Sequence, residues 1–353
     1  MALGLAGLGN SELTYEKKYE FDLGLDLGFL WNRINLVFDW YVRNNFDLIG
    51  LIRTQGVGGE TNKYGNVAEM NSHGVEFTLT THNIEPKRPG GFAWDTDLTF
   101  SYAVTKIIKL QSRSRVIDLV RGSGFALEGY SNRAMFSIPY AGLDAHGLPL
   151  VYDETGAISN VGLNFQEFEN LDFLKYEGPV DPTITGGFGN NFSFKGFHLN
   201  VFMTYAFGNK LRLDPTFAAG YSDLTSFTKD FKNRWVLPGD EAYDGIVPAI
   251  ASRRQVYSND YLGWAYNAYN YSTARVADGG FIRLKEVSLT YDVPKTLISR
   301  IRLTNASVKL AATNICLLYA DKKLNGQDPE FFNSGGVASP NPKQFTLTLR
   351  LGM

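Results

Sequence analysis

From Lys18 to Phe29 the chain alternates without a fault. Tyr19, Phe21, Leu23, Leu25, Leu27 and Phe29 fall on one face of an extended backbone. Lys18, Glu20, Asp22, Gly24, Asp26 and Gly28 fall on the other. A period of two marks a strand, and this one is long. Globular strands run about 5–6 residues, whereas a tilted strand crossing a bilayer needs about 9–11. Aromatic residues stand at both ends, Tyr19 and Phe21 at one, Phe29 and Trp31 at the other. Those are the two headgroup levels of a membrane barrel strand. The pattern predicts a strand with lipid on one face and water on the other.

The pattern then repeats. A tight turn at 30–33 leads to Ile34, Leu36, Phe38, Trp40 and Val42 on one face, with Asn35, Asp39, Tyr41 and Arg43 on the other. Further strands are predicted at 74–82 and 92–104, and at two segments meeting at Lys195 and Gly196. The second of these carries Phe197, Leu199, Val201, Met203, Tyr205 and Phe207. Strands resume at 281–293 and 306–314, and Phe345, Leu347, Leu349, Leu351 and Met353 close the chain in phase. Short connections (30–33, 82–91, 195–196, 294–305) alternate with long ones (45–72, 107–183, 208–280, 315–343). Up-and-down membrane barrels have short periplasmic turns and long extracellular loops, which orients the sheet. A hairpin predicted at 136–143 and 148–152, around Asp144 and Gly147, sits in one long connection. The fold class expected is all-β: an incomplete antiparallel transmembrane β-barrel of about nine to eleven long strands, nine if that hairpin stays in its loop. A soluble β-sheet module is the competing fold, and aromatic ends on the apolar face argue against it.

Composition narrows the function. A net charge of −2 gives no reason to expect a nucleic-acid partner. Aromatic content of 14% beside an ordinary hydrophobic 44% suits a wall in which only alternate residues meet lipid. No apolar run approaches the roughly 18 residues of a membrane helix. Cys316 is the only cysteine, so an intramolecular disulfide and a cysteine zinc cluster are excluded. Residues 1–9 lack the basic region and apolar length of a secretory signal. That predicts either a chain that is not exported or one whose beginning lies upstream.

Signals for catalysis are poor. His73, His82, His146 and His198 are scattered without metal-ligand spacing, and no Gly-x-Ser-x-Gly elbow occurs. Asp22, Asp26, Asp39, Asp95 and Asp97 are spaced as lumen wall. Asp240, Glu241 and Asp244 offer oxygens of the kind calcium takes, but a solvated acidic loop is the simpler reading. No enzyme, cofactor or metal is expected. One loop segment stands apart: Tyr257, Tyr261, Trp264, Tyr266, Tyr269 and Tyr271 lie among Asn, Ser and Gly. Flat aromatic faces with a polar edge suit a substrate or a protein lid; the alternative is that they pack the loop onto itself.

Several segments resemble the C-terminal half of SusC-like TonB-dependent transporters of Bacteroidetes outer membranes. They are the first strand with its turn, the run Asn66-Val-Ala-Glu-Met-Asn-Ser-His-Gly-Val-Glu-Phe77, Thr185-Gly-Gly-Phe188 with Phe192 to Phe197, and Asn233-Arg-Trp235. Asp278-Gly-Gly-Phe-Ile-Arg-Leu-Lys-Glu-Val287, Thr313-Asn314 and Gly326-Gln-Asp-Pro-Glu330 complete the series. They occur in the family's order over nearly the whole chain. The resemblance implies a barrel of about 22 strands with a plugged lumen, outer-membrane location, coupling to the TonB complex and a SusD-like surface lipoprotein as lid. It implies import of an oligomeric nutrient, oligosaccharide or peptide. On this reading residues 1–353 are the C-terminal part of the barrel, and the signal, plug and first barrel half precede residue 1. The family usually ends on an aromatic residue, where this chain has Met353. The rival functions are a structural or adhesive outer-membrane barrel without TonB coupling, and a soluble binding module.

Overall fold

The computed structural model describes residues 10–56, 59, 61–121, 127–161, 163–216, 228–258, 260–298, 303–332 and 340–352. The signal question at residues 1–9 and the terminal Met353 lie outside them. The chain opens with four long strands, β1 (Lys17–Phe29), β2 (Ile34–Arg53), β3 (Asn62–Ile84) and β4 (Ala93–Leu110). A long connection follows, with α1 (Val116–Arg121), β5 (Ala134–Ser137), β6 (Tyr140–Leu143), β7 (Pro149–Tyr152), β8 (Ile158–Ser159) and β9 (Lys175–Pro179). β10 (Ile184–Phe194) and β11 (Phe197–Phe207) come next. The second long connection holds β12 (Lys210–Arg212), α2 (Arg253–Ser258), α3 (Leu262–Asn270) and β13 (Val276–Asp278). β14 (Phe281–Asp292), α4 (Lys295–Ile298), β15 (Asn305–Ala320) and β16 (Gln344–Gly352) end the chain.

Nine strands form one antiparallel sheet in the order β1-β2-β3-β4-β10-β11-β14-β15-β16. Each is hydrogen-bonded to the strand beside it, so the sheet is a meander that leaves β1 and β16 as open edges among the described residues. The hairpin expected at 136–152 stays out of this wall, giving nine strands rather than eleven. Only its inner part forms a hairpin, β6 with β7, while β5 pairs with β9 instead.

The register confirms two faces. Phe38 pairs with both Leu25 and Phe77, Phe77 with Phe100, and Val201 with Val287, so apolar residues line up across neighbouring strands. Rings meet along the two rims of this outward face. Tyr19 meets Phe46 at 5.7 Å, and Phe207 meets Tyr319 at 6.2 Å, at the end with long connections. Phe92 and Trp94 stack on Phe192, and Phe197 lies 4.4 Å from Tyr291, at the end with short turns. Ten residues separate Tyr19 from Phe29 in β1. At about 3.3 Å per residue and a tilt of roughly 40° they span about 25 Å, the height of an outer-membrane apolar band.

The short turns follow from local geometry. Lys195 and Gly196 both take left-handed φ values, 49° and 84°. That is the two-residue turn whose twist matches the flanking strands.

The wall is taller than the alternation suggested. The stretch 45–72, expected as a loop, is mostly strand: β2 runs on to Arg53, and β3 starts at Asn62. β4 and β15 likewise outrun their predicted ends. Above the bilayer no lipid holds one face apolar, so the apolar–polar alternation vanishes while the backbone ladder continues.

Most fully buried side chains lie in the long connections rather than in the wall. Val116, Leu119 and Val120 of α1 pack with Phe136, Ile138, Val151 and, from the other long connection, Ala268 of α3. The two connections share one core and form a cap on the long-connection end of the sheet.

Candidate functional site at the extracellular mouth

Buried ion pairs fasten the cap to the wall. Arg53, at the tip of β2, grips Asp118 of α1 with two hydrogen bonds of 2.7 and 2.8 Å, and Arg115 donates to the same carboxylate at 3.1 Å. Burial alone would raise the Asp118 pKa, but the Arg53 and Arg115 donors outweigh it and hold the carboxyl well below its usual range. On the opposite side, Arg283 near the start of β14 pairs with Asp328 and lies 3.1 Å from Glu330. Two of the segments carrying the resemblance, 278–287 and 326–330, are thus brought together by this clamp. Arg275 is buried and pairs with Asp230 at 2.7 Å.

Arg212 lies deeper. Its guanidinium donates to Ser137 Oγ at 3.1 Å and to the carbonyls of Ser272 at 3.0 Å and Phe136 at 2.6 Å. Burial pushes its pKa down to about 10, against the opposing pull of Glu177 and Tyr271. It stays charged at neutral pH.

The aromatic segment divides. It was expected as a loop, but it folds as α2 and α3, and the helix sorts the rings by face. Tyr266 is 1% exposed and donates to the Ala249 carbonyl at 2.5 Å. Tyr269 is 3% exposed and meets Tyr140 edge-on at 5.5 Å. Tyr271 is half-buried against Phe165 at 6.3 Å. These three pack the cap. Tyr257 is 85% exposed, Tyr261 54% and Trp264 51%, and the last two meet edge-on at 6.1 Å. The signal that separates them was present in the sequence: Leu262, Ala265, Tyr266 and Tyr269 follow i, i+3, i+4, i+7, the inward stripe of a helix.

A cavity of about 660 Å³ opens beside this cap. Ala206 and Phe281, paired across β11 and β14, form its floor on the face opposite the outward rings. Residues from all three of the longest connections complete it, among them Arg121, Arg133, Lys210, Arg212 and Glu330. Of the lining, sequence reasoning had named Tyr271 alone as a candidate contact; it missed the charged residues, because no spacing links side chains that only the fold assembles.

The other candidates are otherwise employed. Asp240 accepts the Val236 and Leu237 amides at 2.9 Å, and Glu241 accepts Trp235 Nε1 and the Gly239 amide at 2.8 Å, so both carboxylates hold a turn. Asp244 is exposed. His82 contacts Asp95 at 2.7 Å, and His198 contacts Ser193 at 2.8 Å and Asp292 at 3.1 Å, at the short-turn end of the inner face. Among the described residues no cluster of three His, Cys, Asp or Glu side chains is arranged to hold a metal.

Comparison with known proteins adds four findings. The profile of the family described as "TonB dependent receptor-like, beta-barrel" matches residues 3–220. TonB-dependent receptor P3 of Formosa agariphila is 26% identical over 98% of this chain and 35% of its own length. TonB-dependent receptor SusC of Bacteroides thetaiotaomicron is 22% identical over 98% of this chain and 32% of its own. A solved structure of the RagAB peptide transporter covers 99% of this chain and 36% of the matched one, with a TM-score of 0.75 at 24% identity, a likeness of fold. The chain spans about a third of the length of these relatives.

Proposed function

This chain belongs to the TonB dependent receptor-like β-barrel family, and from that premise we propose that it supplies part of the wall and mouth of a nutrient importer. Its place is the outer membrane. The relatives are receptors and transporters, not enzymes. In our reading residues 1–353 are the C-terminal part of the barrel. A plug, the remaining wall and a TonB-contacting segment belong to the same longer protein, and a SusD-like lipoprotein covers the mouth. The cargo is an oligomer, glycan or peptide; RagAB, which shares this fold, is a peptide transporter. The observation that carries the reading is the wall itself. One face is apolar between two aromatic rims about 25 Å apart, and the outer end bears an ordered cap with a cavity toward the inner face.

The exposed rings Tyr257, Tyr261 and Trp264 are the proposed contact for the lipoprotein or the arriving cargo. Large rigid side chains give contact area at low entropic cost, and exposed aromatics grouped in this way mark contact surfaces. Tyr266, Tyr269 and Tyr271 support them from beneath.

Deletion of the full-length gene should abolish growth on a limiting glycan or peptide mixture, and the wild-type gene should restore it. Unchanged growth with lost surface attachment would favour the adhesive barrel instead. Replacing Tyr257, Tyr261 and Trp264 together by Ser should leave a heat-modifiable barrel band while weakening uptake or lipoprotein co-purification. If both stay at wild-type level, the contact role falls.

A further inference from the structure

The two ends of the wall differ in charge. The short connections 30–33, 85–92, 195–196 and 293–298 carry five cations, Arg33, Lys87, Arg88, Lys195 and Lys295, against one carboxylate, Glu85. The whole chain has a net charge of −2, and the long connection 111–183 holds ten carboxylates and five cations. The positive excess is therefore local to the short-turn end. Glu85 lies 4.0 Å from Arg33. Two carboxylates near the adjoining strand ends, Asp95 and Asp292, are taken by His82 at 2.7 Å and His198 at 3.1 Å. Lys87, Arg88, Lys195 and Lys295 are exposed and form no ion pair among the described residues.

Backbone and side-chain bonds knit these turns into one rim. Arg33 donates to the carbonyls of His82 and Asn83 at 3.0 Å, just before the turn 85–92. Gly90 accepts the Lys195 amide at 3.1 Å, and Gly196 accepts the Asp292 amide at 2.8 Å. The rim also has a fixed level. Phe92 stacks on Phe192 at 6.4 Å, and Phe197 lies 4.4 Å from Tyr291, on the outward face beside the same turns. Rings of this kind seat at the headgroup boundary. Lys195 Nζ stands 5.1 Å from the centre of the Phe194 ring, which is itself exposed. Apolar side chains project from two of the turns: Trp31 is 97% exposed, Leu30 61% and Leu297 64%. At a headgroup boundary such apolar bodies enter the acyl region, while Lys and Arg reach the phosphates. An acidic protein would match the cations, but the rings and the apolar tips already set them at the lipid boundary.

We propose that the short-turn rim binds the phosphates of anionic phospholipids, with Lys87, Arg88, Lys195 and Lys295 as the contacts. In up-and-down membrane barrels the short turns are periplasmic, so the leaflet concerned is the inner one. Each cation held near an anionic surface adds to the attraction, and salt screens it. The wall then gathers anionic lipid around its periplasmic rim, whatever cargo passes through the lumen.

The test uses the full-length protein, purified in detergent and incubated with equal amounts of phosphatidylglycerol and phosphatidylcholine of the same acyl chains. Native mass spectrometry counts the lipids retained. The wild type should keep several times more phosphatidylglycerol. Replacing Lys87, Arg88, Lys195 and Lys295 together by Gln should remove most of that preference. The charge-conserving set Lys87→Arg, Arg88→Lys, Lys195→Arg and Lys295→Arg should keep it. Gln in place of Arg113, Lys232 and Arg254, exposed in the long connections, should leave it unchanged. A heat-modifiable band checks that each variant is folded. If the fourfold Gln variant is not, Lys87→Gln with Arg88→Gln in one exposed turn should show a partial loss. Equal retention of both lipids by the wild type, or an undiminished preference in the Gln variants of the rim, would overturn the proposal. So would an equal loss in the long-connection variant, which would mean net charge alone. Displacement of the lipid by inorganic phosphate at the same concentration would mean a free-anion site and would also overturn it.

Discussion

At the scale of single residues, the run 66–77 that carries part of the resemblance has a physical reason at Gly74. Gly74 pairs with Tyr41 across β2 and β3, and the Tyr41 ring lies over it. A Cβ on Gly74 would sit 2.5 Å from ring atoms. The ring cannot swing aside, because it is buried and the Arg43 guanidinium stands 3.9 Å from its centre, itself paired to Glu20. Gly74→Ala in the full-length protein should therefore cost roughly 1–3 kcal/mol by overpacking, seen as a lower temperature of conversion from folded to unfolded band. Adding Tyr41→Ala should remove most of that penalty, and independent effects in the double variant would show that the two residues do not clash. Asp118 gives a second prediction. Its folded pKa is depressed, so its contribution is fully present above the unfolded carboxylate value of about 3.9 and is lost as pH falls below it. Attachment of the cap should be indifferent to pH between about 5 and 8 and loosen only below about 4. Asp118→Asn should loosen it at neutral pH, by up to roughly 3–5 kcal/mol for a broken buried pair. Limited proteolysis of the cap, with the barrel band unchanged, reads both.

At the scale of elements, legibility followed the solvent. Strands inside the bilayer were readable because lipid and water write opposite rules on alternate residues. Val75, Phe77 and Leu79 announced β3, but its first twelve residues did not, since no apolar–polar alternation runs through them. The cap was obscured for another reason. Its core joins α1, β5, β7 and α3 from two connections far apart in sequence, and no local pattern encodes that meeting. The inward stripe of α3 was legible in principle, but aromatic richness drew attention from its period. The register of β1 is open to direct test. Leu25→Arg places a charge on the lipid face near mid-membrane and should cost about 2–4 kcal/mol in assembly of the full-length barrel. Asp26→Asn, one residue on, should be nearly silent. Equal assembly of both would mean that β1 is turned the other way.

At the scale of the whole molecule, the nine wall strands leave two open edges among the described residues. A strand edge carries unpaired backbone donors and acceptors, which hydrocarbon does not tolerate. Residues 1–353 expressed alone behind a signal sequence should aggregate or be degraded, and a protease-resistant, heat-modifiable band would contradict this. The division between a lipid-bathed wall and a cap with its own packed core reaches beyond stability, to how such a chain changes over generations. Acyl chains are fluid and mould themselves to any apolar outline, so Leu349 can become Ile, Val or Phe without anything needing to fit. Ile138, sealed among α1, β7 and α3, has no such forgiving neighbour, because a close-packed interior registers a single methylene. Drift in the wall is thus free in shape and bound in polarity, while drift in the cap must proceed by paired, compensating exchanges. The part of the chain proposed to meet the cargo is then the part that changes slowly in its interior and is left to vary at its rim.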